Sequence, residues 1–340
     1  MPLTGDLQKI GTEVTVTLSI LIVNWNSKEF LRSCLDSINA TCAELSPQVV
    51  VVDGGSFDGC GELLATEYPA FEFVQAERNL GFGRSNNLGV DRITGDALLL
   101  LNPDTVVEPG AVQGLLKHLR ELPSAGIVGP KLLNSDGSVQ AGSVHPLPTP
   151  LASALASDFL RRLLPSSRFG GHASRLTTDY PVRVEAVGGA CMMIPTELFR
   201  RIGGFTTAYF MYAEDMDLCL KVQRAGLRIY HIPQAQVVHH GGGSSDNEPR
   251  ESSVFMMHRA LHTYMQLNHG TFAAARYRVI ICASALLRLA VLASASIVRG
   301  SFWHRTRPAS VVKWQASLLW SLRMDSCSAS REGGSGEPSN

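Results

Sequence analysis

Residues 97–105 read ALLLLNPDT, and this stretch decides how the chain is expected to fold. Its five apolar residues, 97–101, predict a buried strand. Pro103 ends that strand, and Asp104 follows where the chain leaves the sheet. Because open α/β sheets bind ligands at the carboxyl ends of their strands, Asp104 is a candidate ligand for a hard divalent cation. The same residues also suit a turn or a helix cap, which is the alternative interpretation.

The segments around this strand alternate between two hydrophobic periods. Strands are predicted at 16–23, 48–52 and 71–75, and helices at 28–40, 61–67 and 82–94. This alternation predicts a parallel sheet with crossover helices. Further along, strands at 127–129 and 131–133 are expected to flank a turn, and short separate strands are expected at 228–232 and 236–239.

Composition indicates a globular protein and excludes some classes of partner. The chain has 340 residues, 45% of them hydrophobic, and a formal net charge of zero, so nothing indicates a nucleic acid partner. The seven cysteines form no Cys-x-x-Cys pair, and Cys191 and Cys219 are expected to be reduced core thiols. Residues 1–15 lack the basic and apolar regions of a secretory signal, so the main domain is expected in the cytoplasm.

The expected organisation is a main domain at 16–245, a helical region at 246–325 and a disordered tail at 326–340. Residues 143–181 are rich in Pro, Ser and Arg and predict a mobile insertion with an amphipathic stretch at 151–164. Residues 279–298 are apolar apart from Arg288 and some serines. A helix needs about 20 residues to cross a bilayer, and this segment is long enough. A helix pair lying on the membrane surface fits better than a span, and a buried soluble helix remains open.

Two polar clusters at predicted strand ends indicate a nucleotide site. Asp53 follows the strand at 48–52 and can accept the imide N–H of a uracil or thymine ring. The neighbouring strand ends in Val23-Asn24-Trp25-Asn26, which can supply an aromatic wall and amide groups beside the same base. Residues 78–87 form a second cluster, in which Gly81 and Gly83 allow a close approach to a ligand. This cluster opens a helix whose N-terminus suits a diphosphate, although it lacks the third glycine of a dinucleotide fingerprint.

Two further clusters carry acid–base and metal chemistry. Glu214, Asp215 and Asp217 lie at the start of a predicted helix, where one carboxylate pointing into a cleft could be a general base. Simple N-terminal capping accounts for one of the three. His239 and His240 precede a glycine run and offer an imidazole as a second ligand for the cation at Asp104.

Taken in this order, the motifs resemble those of the inverting GT-A glycosyltransferases of family 2, most closely a rhamnosyltransferase-like branch that builds bacterial surface polysaccharides. The matched segments are 20–26, 50–59, 79–87, 98–105, 187–205, 214–226 and 237–244. The resemblance covers about two thirds of the chain, and the order of the motifs is more specific than any one of them. It implies an α/β protein of the GT-A fold, with a Rossmann-like, mostly parallel central sheet flanked by helices, and a helical C-terminal extension.

The resemblance also implies roles for the matched positions. Asp215 would be the base, with Glu214 beside it, and Asp104 the main carboxylate of the metal motif, with Asn102 at its first position. His239 would complete the cation site, with His240 the fallback. The implied nucleotide-binding residues are Val23, Trp25, Asn26, Asp53, Gly81, Phe82, Asn87 and Asn102, and the implied sugar-binding residues are Gly188, Gly189, Asp217 and His240. Two positions depart from the family pattern: Gly54-Gly55, where a polar residue is common, and Thr206, where an Asp is common.

The implied reaction is a single in-line displacement with Mn²⁺ or Mg²⁺ as cofactor. The donor would be dTDP-rhamnose or a UDP-sugar, and the acceptor a lipid-linked or polysaccharide hydroxyl. The enzyme would sit in the cytoplasm, peripherally on the inner face of the cell membrane. Two alternatives are a non-catalytic nucleotide-binding scaffold of the same fold and a nucleotidyltransferase. The second would need a basic glycine-rich loop near the N-terminus, which residues 20–26 lack.

Overall fold

The computed structural model describes residues 16–149, 178–241, 250–298 and 309–322. The predicted amphipathic stretch at 151–164 and the tail at 326–340 lie outside these residues. The chain divides into two compact units between Glu248 and Pro249.

The first unit contains a large mixed sheet and its flanking helices. Its strands are β1 (Leu18–Asn24), β2 (Gln48–Asp53), β3 (Glu72–Gln75), β4 (Ala97–Leu101), β5 (Thr105–Val107), β6 (Ala125–Leu133), β7 (Val144–His145), β8 (Val182–Val184), β9 (Ala186–Val187), β10 (Cys191–Pro195) and β11 (Arg228–His239). Its helices are α1 (Lys28–Cys42), α2 (Cys60–Glu67), α3 (Phe82–Val90), α4 (Ala111–Glu121), α5 (Thr196–Arg201) and α6 (Glu214–Arg224).

Among the described residues, nine strands form one sheet in the order β3-β2-β1-β4-β10-β6-β11-β5, with β8 paired to β11. The first four strands are parallel, with Asn24 opposite Asp53 and Ile22 opposite Leu101. This confirms the parallel sheet predicted from the alternation. β10 enters antiparallel between β4 and β6, and β5 and β8 pair antiparallel with β11. The sheet is therefore mixed, with its parallel part carrying β1, β2 and β4.

Burial follows from the period of two in the strands. In β4, Leu99 and Leu101 face one apolar cluster and Leu98 and Leu100 face the other, and all four are buried. Helices cover both faces, which is why β4 is a continuous apolar run rather than an alternating one. The carboxyl ends of β1, β2 and β4 meet at one edge, so the polar residues that follow these strands are neighbours.

Two predicted breaks are wrong. The expected turn between 129 and 131 is absent, because β6 runs unbroken through Pro130, which pairs with Ile232 of β11. β11 is likewise one strand of 12 residues rather than two. A register shift between Ile232 and Gln236 marks the point where the two strands were expected to separate. Pairing with a neighbour overrides the local turn signal.

The second unit contains three helices: α7 (Arg250–His269), α8 (Thr271–Val298) and α9 (Ala309–Leu322). A buried polar cluster joins them, in which His258 of α7 bonds Tyr277 of α8 at 2.8 Å and Ser317 of α9 at 2.9 Å. Arg288, the charged residue within the apolar segment, lies over the ring of Trp314 in α9 at 4.0 Å. Within the described residues, one helix, Thr271–Ser294, is long and apolar enough to cross a membrane by length and composition.

Candidate active site

The loop after β2 is ordered by the carboxylate of Asp53, which is fully buried. The two oxygens accept six hydrogen bonds of 2.6–3.1 Å, from the Asn24 amide, the Ser56 hydroxyl, the Cys60 thiol, the Gly55 and Ser56 backbone N–H groups and the Gln75 amide. Burial alone would raise the pKa of Asp53, but the hydrogen bonds from Ser56, Cys60 and Asn24 outweigh it and hold the pKa below its usual value. The ionised carboxylate therefore organises the loop from beneath.

The residues at the end of β1 and just after it lie on the other side of this loop. The indole of Trp25 is half-buried and would lie 3.4 Å from a Cβ added at Gly54. Asn26 adopts a left-handed conformation with φ +49°, and its side-chain oxygen accepts a 3.0 Å hydrogen bond from the Phe57 N–H. Val23 is half-buried at the end of β1 and packs against the sheet core. The indole of Trp25 therefore packs directly against the loop that Asp53 holds.

The start of α3 is tied to the loop at 203–212. Gly81 has φ +80°, and a Cβ there would stand 2.2 Å from the carbonyl oxygen of Phe210. The same carbonyl accepts a 3.0 Å hydrogen bond from the Phe82 N–H. The Asn87 amide donates to the Phe205 carbonyl and accepts from the Phe205 N–H, each at 2.9 Å. Because both ends of this amide bind backbone, we assign Asn87 to support of the loop rather than to the nucleotide.

Asp217 supports the same loop from α6. Its buried carboxylate accepts hydrogen bonds from the Thr206 hydroxyl at 2.6 Å and from the Tyr209 hydroxyl at 3.3 Å. Lys221 lies 3.8 Å from it, one helical turn away. Thr206 therefore fills the position where the family pattern has an Asp, and it does so by donating to a carboxylate on the neighbouring helix. These contacts favour a supporting role for Asp217 over a direct contact with a sugar.

Asp104 meets His239 where β4 and β11 end. Asp104 is 7% exposed, and its Oδ1 lies 3.4 Å from His239 Nε2. The other ring nitrogen of His239, Nδ1, bonds Gln140 Oε1 at 2.8 Å. Asn102 contributes backbone contacts: its N–H donates to the Ala190 carbonyl at 2.9 Å, and its carbonyl accepts from the Thr105 hydroxyl at 2.7 Å.

His240 is turned away from this pair. Its Nδ1 bonds the Ser135 hydroxyl at 2.8 Å, its ring packs against Phe30 at a centroid distance of 5.5 Å, and its N–H donates to the Asp104 carbonyl at 2.9 Å. Of the two adjacent histidines, His239 therefore presents a ring nitrogen to the Asp104 carboxylate, and His240 fixes the backbone around it.

Asp215 stands at the start of α6, with both carboxylate oxygens fixed by backbone donors. Oδ2 accepts from the Gly189 N–H at 3.0 Å and Oδ1 from the Met216 N–H at 2.7 Å. A Cβ at Gly189 would lie 3.1 Å from the Asp215 Cβ, so the missing side chain permits this close contact. At Gly188 a Cβ would lie 2.2 Å from the Gly142 carbonyl oxygen. The two glycines let their segment pack tightly on both sides.

Glu214 is buried, and the two residues before it have strained backbone conformations. Tyr212 and Ala213 both have positive φ, +73° and +66°, which non-glycine residues adopt at a cost of roughly 1–3 kcal/mol each. Glu214 is buried, and within the described part of the chain its Oε2 has no hydrogen-bond partner. Burial, reinforced by the charge of Asp215, raises the pKa of Glu214 well above its usual range. The pair thus consists of a buried carboxyl group whose neutral form is favoured, Glu214, and a partly exposed one, Asp215.

One short segment links the acidic pair to the Asp104 motif. The Gly189 N–H binds Asp215, and the carbonyl of the next residue, Ala190, binds the Asn102 N–H. Asn102 in turn precedes Asp104 by two residues. The two candidate chemical groups, on helices and strands more than a hundred residues apart in sequence, are therefore held on one continuous run of backbone.

Asp104 and His239 fit a divalent cation. Two ligands at right angles on an octahedral ion, each at about 2.1 Å, lie about 3.0 Å apart, close to the separation seen here. Carboxylate oxygen and imidazole nitrogen are both ligands of Mn²⁺-type ions. The described residues contain no group of three His, Cys, Asp or Glu side chains suited to one metal ion. Such an ion would therefore need further ligands from substrate or solvent.

Comparison with known proteins identifies the family of this chain. The model described as "Glycosyl transferase family group 2" matches residues 97–322, and the model "Glycosyl transferase family 2" matches residues 19–174. The chain belongs to the family 2 glycosyltransferases. It is 26% identical to an N-acetylglucosaminyl-diphospho-decaprenol L-rhamnosyltransferase of Mycobacterium tuberculosis, over 84% of this chain and 96% of the relative. It is 23% identical to the rhamnosyltransferase WbbL of Escherichia coli K12, over 70% of this chain and 88% of the relative.

A solved structure confirms the fold of this family 2 glycosyltransferase. The mannosyltransferase PcManGT of Pyrobaculum calidifontis, determined with GDP-Man and Mn²⁺, superposes with a TM-score of 0.53 at 16% identity, covering 93% of this chain and 90% of that one. The predicted GT-A architecture is therefore confirmed, as is the expected family.

Gln140 contacts His239, and the sequence gives no local indication of this contact. Gln140 lies in a polar turn after β6 and is 99 residues from the histidine in sequence. A polar residue in a turn carries no local signal of such a contact. Only the pairing of β6 with β11 brings the two together.

Proposed function

We propose that this family 2 glycosyltransferase transfers a sugar from a nucleotide diphosphate donor to a hydroxyl of a lipid-linked or polysaccharide acceptor, with inversion at the anomeric carbon. The observation that carries the proposal is the fixed carboxylate of Asp215, joined through Gly189 and Ala190 to the Asn102–Asp104 motif. A base on one side of the anomeric carbon and a diphosphate site on the other are what a single in-line displacement requires.

Asp215 is the proposed base. Its oxygens are held by the N–H groups of Gly189 and Met216, which orient the carboxylate and leave lone pairs to accept the proton of the acceptor hydroxyl. Burial raises the pKa of Glu214 and so favours its neutral form, which adds no second negative charge beside the base. The oxygen of the acceptor attacks the anomeric carbon as it loses its proton, and the bond to the departing diphosphate breaks on the opposite face. One displacement inverts the configuration.

The nucleotide is proposed to occupy the corner between β1 and β2. Trp25 supplies an aromatic wall, and the loop held by Asp53 supplies polar backbone and the neighbouring Asn26. We place the diphosphate near Gly81 and Phe82, since a helix N-terminus favours negative charge. Asp104 and His239 would hold Mn²⁺ or Mg²⁺, which when bound supplies positive charge against the departing diphosphate. Gly189, whose N–H binds the proposed base, borders the proposed sugar and acceptor cleft.

The identity of the substrates is proposed from the relatives. The similarity to the N-acetylglucosaminyl-diphospho-decaprenol L-rhamnosyltransferase of Mycobacterium tuberculosis supports dTDP-rhamnose as the first donor to test and a polyprenyl diphosphate-linked sugar as the acceptor. UDP-sugars are the second class of donor. An acceptor with a lipid chain also supports a peripheral position on the cytoplasmic face of the membrane. The product would enter synthesis of a cell-surface glycan.

A donor panel tests the reaction directly. The full chain is incubated with Mn²⁺, a polyprenyl diphosphate-linked acceptor and one nucleotide sugar at a time, and products are identified by mass spectrometry and anomeric NMR. We expect transfer from one donor with inversion. Asp215→Asn should lower kcat by about 10²–10⁴-fold, because a positioned base contributes that much. The control Asp91→Asn changes an exposed carboxylate at the end of α3 and should keep wild-type kcat. Full activity of Asp215→Asn with the working donor would contradict the base assignment.

A further inference from the structure

The orientation of the Gln140 amide is determined by its three contacts. Its nitrogen Nε2 lies 3.1 Å from Asn134 Oδ1 and 3.3 Å from the His239 carbonyl oxygen, both of which can only accept. The nitrogen must therefore face these two atoms, and Oε1 faces His239 Nδ1 at 2.8 Å. Because an amide oxygen can only accept, the proton of this hydrogen bond belongs to His239 Nδ1.

The direction of each hydrogen bond is set by the next one along the turn. Asp136 Oδ1 accepts from the Ser138 hydroxyl at 2.5 Å, so the Ser138 oxygen accepts from Asn134 Nδ2 at 2.9 Å. Asn134 Oδ1 is then the atom that faces Gln140. Hydrogen bonds from the Ser138 hydroxyl and backbone also hold the pKa of Asp136 below its usual value, so the anchor of the relay is a carboxylate that only accepts. The backbone is pinned by the Gln140 N–H, which donates to the Leu132 carbonyl at 2.8 Å.

We infer that Gln140 is a positioning residue: it keeps neutral His239 in the Nδ1–H tautomer, so that the lone pair of Nε2 faces Asp104 Oδ1 across 3.4 Å. This inference rests on the proposed function, in which Asp104 and His239 hold the cation. The hydrogen bonds from Asp136 through Ser138 and Asn134 orient the Gln140 amide, and this orientation selects the His239 tautomer. Neither His239 nor Asp104 would select it alone.

The alternative tautomer would compete with cation binding. With its proton on Nε2, His239 would donate a hydrogen bond to Asp104, and the two groups would satisfy each other without a cation. A hydrogen bond that fixes the second nitrogen of a ligating histidine typically raises metal affinity by about 10–100-fold. Gln140 is therefore expected to matter for cation binding without contacting the cation.

The tautomer is measured first, in the full chain without metal. Long-range ¹⁵N–¹H NMR on histidine-labelled protein at about pH 8.5, where imidazole is neutral, distinguishes Nδ1–H from Nε2–H. His239→Gln assigns the signal. We expect Nδ1–H in the wild type, a shift toward Nε2–H in Gln140→Leu, and retention of Nδ1–H in Gln140→Glu, which keeps the acceptor for Nδ1–H although it loses the two bonds that the Gln140 nitrogen donates. An Nε2–H tautomer in the wild-type protein would overturn the inference without any variant.

Mn²⁺ affinity, measured by calorimetry with UDP or dTDP present, separates this inference from the proposed function. We expect Gln140→Leu to weaken Mn²⁺ binding about 10–100-fold, Gln140→Glu to restore it, and Asp104→Ala to abolish it. If Asp104→Ala binds Mn²⁺ as the wild type does, the proposed cation site is wrong. If Asp104→Ala loses binding while Gln140→Leu keeps both wild-type affinity and the Nδ1–H tautomer, the cation site stands and the role of Gln140 is wrong.

Discussion

Gly81 shows how a single absent side chain permits the close contact between α3 and the loop at 203–212. Its Cα approaches the Phe210 carbonyl so closely that a Cβ would lie 2.2 Å from the oxygen, and its φ of +80° also disfavours any L side chain. Gly110 has nearly the same φ, +79°, but no atom lies within 4 Å of its Cβ position. Substitution at Gly110 therefore measures the cost of the backbone conformation alone, and substitution at Gly81 measures that cost together with the cost of the steric contact.

We predict that Gly110→Ala lowers the free energy of unfolding by about 1 kcal/mol, from the left-handed conformation alone. Gly81→Ala should lower it by about 1–3 kcal/mol more, because the methyl group must also displace the Phe210 carbonyl. Urea denaturation of the full chain measures both. Equal losses in the two variants would show that the Phe210 contact adjusts freely.

Asn87 allows a test between a nucleotide contact and a supporting role. Asn87→Ala leaves the Phe205 N–H and carbonyl without their side-chain partners, and we predict a loss of about 2–3 kcal/mol in unfolding free energy. The Kd for UDP or dTDP should change less than twofold in the folded variant. Asn86→Ala, which removes one hydrogen bond to the Phe82 carbonyl, is the control and should cost less. A large loss of nucleotide affinity with little loss of stability would restore the nucleotide contact.

The site residues differ in how far the sequence revealed them. Asp104 and His239 were paired through the order of motifs, and the structure brings them to 3.4 Å. Asp53 was expected to face a base, but its six donors come from its own loop and strand neighbours, and such saturation depends on the turn geometry rather than on residue type. Gln140 could not be found, because its contact with His239 exists only through strand pairing. Residue type thus predicts which chemical groups are available, and the pairing of strands that are distant in sequence determines which of these groups meet.

At the level of elements, β4 was predictable because its burial on both faces leaves a purely apolar run. The antiparallel entry of β10 beside it was not, because apolar segments such as Cys191–Pro195 look the same in either direction. The break expected within β11 is wrong, yet the register shift between Ile232 and Gln236 lies at that point. The local signal was real, and the sheet accommodated it as an irregularity instead of a turn.

The helices of the second unit are joined through His258, and this predicts a pH-dependent stability. Burial, with a smaller contribution from the charge of Lys313, lowers the pKa of His258 to about 4. The unfolded chain, with a histidine pKa near 6.5, then binds more protons than the folded one between those two values. The stability that depends on neutral His258 is present above about pH 6.5 and is lost progressively as the pH falls toward 4.

We predict that the full chain loses about 1–2 kcal/mol of unfolding free energy between pH 7 and pH 5 through this histidine, allowing for solvent screening of a partly buried ring. His258→Gln should lack that part of the pH dependence. His269→Gln, an exposed histidine of the same helix, should keep the wild-type pH dependence. Tryptophan fluorescence during urea denaturation follows this unit through Trp314 and Trp320 of α9, and Trp25 contributes a separate signal from the first unit. Identical pH slopes in the wild type and His258→Gln would contradict the assignment.

At the level of the whole molecule, α8 carries an exposed apolar surface that is a candidate contact with a membrane. Its side chains Phe272, Val279, Leu286, Leu287 and Val291 are 53–75% exposed, and their spacing puts them on one side of the helix. Arg288 is stacked on Trp314 rather than left in the apolar run. Residues 250–298 and 309–322 contain six basic side chains and one acidic one. An exposed apolar face in a basic setting is what an anionic membrane surface would bind.

We therefore predict that the full chain floats with vesicles of phosphatidylethanolamine and phosphatidylglycerol, and that Leu286→Glu or Val279→Glu reduces the bound fraction several-fold. Each variant places a carboxylate on the apolar face, where its desolvation opposes insertion. Gln266→Glu adds the same charge at an exposed polar position of α7 and should float as the wild type does. Carbonate washing should release the wild type if the helix lies on the surface and should retain it if the helix spans the bilayer. Equal flotation of Leu286→Glu, Val279→Glu and Gln266→Glu would exclude this face of α8 as the contact, because only the first two change it.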